Sequence, residues 1–200
     1  MVMRMLEAGG ASMLMDGARP PDPDNPAGFY EFEPVKRLAA DADFLAQAGG
    51  HAVKVVAPLL FSLPNDYAYR VIFVERRLDE VMASQEAMLK RSSGRSPAAT
   101  DRSSRAIATG EDRRLEEAFQ GVLDRLRSWM ASQPNVSGLC VTHASAIRDP
   151  RDTANLIATF LADMEWASPP ASETERLGPS GLDSAAMAAA VDPGLYRQRG

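Results

Sequence analysis

The sequence predicts an α/β chain built as a three-layer parallel sheet with helices on both faces. Short apolar runs such as HAVKVVAPLL and VIFV alternate with helical stripes, which is the order expected of β-α-β units. The runs are β-branched and nearly continuous, as suits strands covered on both faces. Polar stretches rich in Pro, Gly or Ser separate them, and no internal repeat occurs. Two hundred residues, 45% apolar and 24% charged, fit one domain over 1–200 with a core that needs no staples.

Residues 2–8 carry apolar side chains at helical spacing, and Gly9-Gly10 supply the stop. SMLM is a short strand, DGARPPDPDNPAGFYE a loop, and FEPVKRLAADADFLA a weakly marked helix. HAVKVVAPLL reads as a strand buried on both faces, and Val71 to Val74 as the next. A helix follows, with Leu78, Val81, Met82, Met88 and Leu89 on its stripe. RSSGRSPAATDRSSR is polar and low in complexity, which predicts a mobile loop over 92–108. Thr109 and Asp112 form a capping signature for a long helix. Its face is Leu115, Phe119, Val122, Leu123, Leu126, Trp129 and Met130. VSGLCVTH is a strand ending at His143. Asp149 then caps a helix with Pro150 first and Asp152 third, striped by Leu156, Ile157, Phe160, Leu161 and Met164. A loop and a short helix around 184–191 close the chain.

The net charge of −5 argues against attraction of the whole chain to a nucleic-acid backbone or an acidic membrane. No apolar run approaches the ~20 residues of a membrane span. The N-terminus lacks a continuous signal core, so a soluble cytoplasmic protein is expected. The one cysteine, Cys140, lies in GLCV and reads as a buried strand thiol, without a disulfide framework. Two distant histidines and one cysteine give no metal-ligand spacing, so no metal is expected.

The stretch RVIFVERRLDEVMAS holds the candidate chemistry. Arg76 and Arg77 stand where an apolar strand gives way to a helix, and ligands of parallel sheets bind beyond the strands' carboxyl ends. A helix N-terminus there favours anions, and a guanidinium offers paired donors that fit phosphate. Ser84 shares a flank of the helix with Arg77 and Glu80. The residues alone leave an ordinary alternative open: solvated loop arginines and a surface hydroxyl.

The strand followed by Arg76, Val81 and Ser84 resembles the nucleotide-binding strand–helix of the sulfotransferase superfamily. VKVVAP resembles the preceding strand, with Lys54 and Pro58 at the family's separation. GLCVTHASAIRDPRDTANLIATFL is similar to the later strand–turn–helix. MLEAGG, DNPAGFYEFEPVKRL and DPGLYRQR look like a bacterial branch, and the resemblance covers nearly the whole chain. It implies a P-loop NTPase-like fold and 3′-phosphoadenosine 5′-phosphosulfate as sulfuryl donor. Arg76 and Ser84 would hold the 3′-phosphate, and Arg77 would be a solvated neighbour. The acceptor would be a hydroxyl or amine in a pocket built from loops around 17–30, 59–68 and 92–108. Lys54 would set positive charge against the sulfuryl group, although a lysine in a β-branched run also reads as one that snorkels from the sheet.

The chain departs from the family twice. It has no GxxRSGTS-like or GxxxxGK[ST] run, so the strand and loop that cradle the 5′-phosphosulfate are expected upstream of Met1, or lost. In that sense the fold reads as N-terminally truncated. The position of the family's histidine base is Val56, which accepts no proton. His51 falls on the opposite strand face from Lys54, and His143 reads as a structural or surface histidine near the site edge. The closing YRQRG has two arginines, but its order differs from the family's, and a frayed basic tail fits it as well. Two further readings stand beside sulfuryl transfer: a non-catalytic nucleotide-binding or structural relic of the same fold, and a kinase-like phosphotransferase, which lacks an acidic Mg²⁺-holding motif.

Overall fold

The computed structural model describes residues 1–18, 28–78, 80–81, 105–162, 181–192 and 194, with the backbone alone for 105–113, 115 and 116. Ser84, Met82, Met88, Leu89, Met164, the expected loop over 92–104 and the tail YRQRG lie outside the described residues.

Helix α1 (Val2–Ala8) turns Val2, Met5 and Leu6 into the core. Its end follows from Gly10, whose φ of 93° is open to glycine at little cost. There the Gly10 N–H donates to the Glu7 carbonyl (3.0 Å) and the Ala11 N–H to the Leu6 carbonyl (2.9 Å). These two bonds satisfy carbonyls the helix would otherwise leave open. The chain then enters strand β1 (Ser12–Met13), which pairs in parallel with β2 (His51–Ala52). Between them, Glu33–Arg37 and Asp43–Gln47 form two 3₁₀ turns where one helix was expected.

HAVKVVAPLL is shorter as a strand than its composition implies. Only His51 and Ala52 join a ladder; Ala57–Ser62 is a 3₁₀ turn with Pro58 in its first positions. Val56 is 58% exposed, so the run is not buried on both faces. Strand β3 (Tyr69–Glu75) pairs in parallel with β4 (Val136–Thr142), in register from Tyr69↔Val136 to Glu75↔Thr142. The expectation of parallel strands among helices is met. The expectation of one continuous sheet is not: the described strands form two separate two-stranded ribbons.

Three apolar clusters surround the ribbons, and one of them joins the two. Alternation along β3 sends Ile72 to one face and Phe73 to the other. On the Ile72 side lie α1, α4 (Pro150–Ala162) and α5 (Ser184–Ala189), packed with Met13, Ala52 and Val141. On the Phe73 side lies α2 (Arg105–Ser132), through Leu123, Leu126 and Met130. The third cluster, around Val35, Leu38, Phe44 and Leu45, covers Val53, Val55 and Tyr69. Helix α2 includes residues 105–108, so Thr109 is interior rather than a cap, and those four residues are helical rather than loop.

Three further expectations are corrected. Cys140 is exposed, because β4 has a ladder partner on one side only among the described strands. Leu156 is 49% exposed, whereas its neighbour Ile157 is fully buried. His143 does not end the strand; it opens α3 (His143–Arg148), because the Thr142 hydroxyl accepts the Ser145 N–H (3.0 Å) and caps the helix. The cap at Asp149 is as expected: its carboxylate accepts the Asp152 N–H (3.4 Å).

The two neighbours on α4 give a direct test of this packing. Ile157→Ala is expected to cost about 2–5 kcal/mol in urea unfolding. Leu156→Ala should stay within about 0.5 kcal/mol. Equal losses would mean that the helix buries a different face.

Candidate functional site

The carboxyl ends of β3 and β4 carry one group of charged side chains. Glu75, the last residue of β3, accepts two bonds from Arg127 of α2: Nε to Oε1 (2.9 Å) and Nη2 to Oε2 (2.7 Å). This forked contact ties the strand end to the helix. Exposed Cys140 lies against the pair. Burial, and then the Glu75 charge, push its thiol up, so it stays protonated and is a poor nucleophile.

Arg76 leaves the strand next, and a helical turn opens at Leu78, where the Val81 N–H donates to the Arg77 carbonyl (3.0 Å). The Arg76 Nε donates to Glu80 Oε2 (3.2 Å), one turn further on. The same oxygen lies 3.9 Å from His143 Nδ1. All three side chains are largely shielded from solvent: 30% exposed for Arg76, 13% for Glu80 and 20% for His143. Arg77 is exposed. Burial is the largest cause holding His143 below its ordinary pKa; Arg76 adds to it and Glu80 opposes it.

Lys54 sits in a second group. Its Nζ donates to the Phe29 carbonyl (2.9 Å) and lies 4.0 Å from Glu31. The backbone is bent to present that carbonyl: Gly28 and Tyr30 flank Phe29 with φ of 82° and 50°. A tyrosine there is uncommon and strained. It is held by a hydrogen bond from its hydroxyl to the Glu7 carboxylate. Burial, then Glu7, raise the Tyr30 phenol to about 12, so it does not act as a base near neutrality. Lys54, Tyr30, Phe29 and Arg4 line a cleft of ≈100 Å³.

Each group has a member near the start of α1. The Met1 amino group feels Arg4 and Lys54, and His143 feels the Met1 amino group. Of the sequence-predicted residues, then, Arg76 and Lys54 fall in separate groups, each already engaged by an acceptor. No group of three or more His, Cys, Asp or Glu able to hold a metal occurs among the described residues. No helix among them is long and apolar enough to cross a membrane. Glu80, Tyr30 and Glu31 were missed from sequence. Only Glu80 had a signal, its i,i+4 spacing from Arg76. Comparison with models of protein families, with curated proteins and with solved structures found no match.

His143 yields a pH prediction. Its folded-state pKa lies below the unfolded value of about 6.5. The unfolded chain therefore takes up this proton first as pH falls. Its contribution to stability is in full force above about 6.5 and is lost as pH drops through the folded pKa. An NMR titration of the imidazole in a His51→Gln background checks this, and Glu80→Gln should lower the His143 midpoint further. A midpoint at or above the ordinary value would contradict the buried placement.

Proposed function

We propose that this chain is a sulfotransferase-like protein of P-loop type, with Arg76 as its nucleotide 3′-phosphate contact and Ser84 as the second. The donor would be 3′-phosphoadenosine 5′-phosphosulfate. One observation supports this best: Arg76 stands at the carboxyl end of a parallel strand, at the entry to a helical turn, beside the end of the neighbouring strand. That is where parallel α/β folds bind nucleotides, and a guanidinium there suits a phosphate monoester. Lys54 would put positive charge against the sulfuryl group. In the reaction the acceptor oxygen or nitrogen bonds to sulfur. The bond from sulfur to the 5′-phosphate oxygen breaks, and adenosine 3′,5′-bisphosphate leaves with the electron pair. The acceptor's proton goes to water or to a base that Val56 cannot be.

A second reading, nucleotide binding without catalysis, is favoured by that same valine, which accepts no proton. Calorimetry with adenosine 3′,5′-bisphosphate tests both. Binding should weaken by at least about tenfold in Arg76→Ala, as for loss of a charge-assisted phosphate contact. Wild-type protein that does not bind the nucleotide at millimolar concentration would sink both readings. Binding without sulfuryl transfer to any hydroxyl or amine acceptor would leave the second.

A further inference from the structure

Glu80 occupies a position that an exogenous anion would take. One carboxylate oxygen faces the Arg76 guanidinium at 3.2 Å and the His143 imidazole at 3.9 Å. Arg76 and His143 directly follow the paired ends of β3 and β4, Glu80 lies in the helical turn after Arg76, and all three are mostly withdrawn from water. The shielded carboxylate neutralises and orients Arg76 through a hydrogen bond, and it lies within ion-pair reach of His143. It also keeps the site closed to a second negative charge, since two anions a few ångströms apart repel strongly at low dielectric.

Resting on the nucleotide reading above, we infer that Arg76 and His143 together form a clamp for a tetrahedral dianion, a phosphate monoester, and that Glu80 is its built-in competitor, displaced when the dianion enters. Arg76 exchanges one anionic partner for another. His143 takes up a proton as the dianion binds, because an opposite charge at contact distance favours the imidazolium. Among the described side chains, Arg76 opposes that proton and Glu80 favours it. The clamp therefore assigns His143 a binding role, and it makes Glu80 a determinant of affinity that never touches the ligand.

The test uses the full chain and sodium sulfate, a dianion whose charge does not change between pH 5 and 8, against chloride at matched ionic strength. The His143 imidazole signal should shift saturably, with its midpoint raised by about one pH unit at saturation. Glu80→Gln should bind sulfate about 2- to 5-fold tighter, as the internal pair no longer competes. Glu80→Asp, which keeps the charge but withdraws it from both partners, should fall between. Arg76→Lys should weaken binding by about tenfold, because the fork is lost. A His143 signal that sulfate does not move, or a Glu80→Gln protein that folds and binds no tighter, overturns the inference. Adenosine 3′,5′-bisphosphate separates the two claims. If the sulfate results hold and the nucleotide does not compete with sulfate, the clamp stands and the nucleotide reading fails. If the nucleotide binds without moving His143 or responding to Glu80→Gln, the reverse is true.

Discussion

The parallel ladder between β3 and β4 is the constraint on which the candidate site depends. Its register pairs Glu75 with Thr142, so the next residues of each strand, Arg76 and His143, emerge side by side. A shift of one residue would turn every side chain of the strand to the opposite face and separate them. The ladder is extended at one end by Tyr69, whose N–H donates to the Asn135 carbonyl (2.8 Å). The Asn135 side chain in turn donates to the Tyr67 carbonyl (2.8 Å). At the other end, the Glu75–Arg127 fork pins the strand to α2. Both ends of β3 are thus held, and the charged residues just beyond it start from a defined position.

The two ribbons are joined by side chains rather than by a shared ladder. Met5, Ile157 and Met187 are fully buried in one cluster that also reaches Ala52 of β2 and Ile72 of β3. Close approach is part of this. A Cβ on Gly9 would lie 2.5 Å from Met187 Cγ, so a glycine lets α1 run against α5. The Asp183 N–H donates to the Gly9 carbonyl (3.0 Å) while its carboxylate caps α5. A single aspartate thereby ties the last described helix to the end of the first.

The electrostatics of the site are those of cations already engaged. Lys54 is held by a carbonyl that two left-handed residues turn towards it, and Arg76 by a carboxylate one helical turn away. An anion entering either place exchanges partners rather than filling bare charge, so net affinity is a small difference between two similar interactions. The same holds for His143, where burial and a neighbouring arginine favour the neutral ring and one carboxylate favours the charged one.

The sequence by itself determined what depends on neighbours along the chain. The glycine stop after α1, the Asp149 cap with Pro150 behind it, the apolar face of α2 and the strand that ends before Arg76 are all local in origin. Each is set by backbone geometry or by a repeat of 2.0 or 3.6 residues. The tertiary structure decided the rest. Which strands pair, and where HAVKVVAPLL stops being a strand, depends on the partners available to its backbone, which composition does not encode. Exposure of Cys140 and Leu156 was misread for the same reason: apolar character marks what can be buried, and only packing decides what is. The meeting of Arg76 with His143 spans most of a ladder and a 28-residue helix, and no spacing rule reaches that far. Arg76 and His143 were each legible near a strand end, because a strand end is a local event; the pairing and register that bring them together were not.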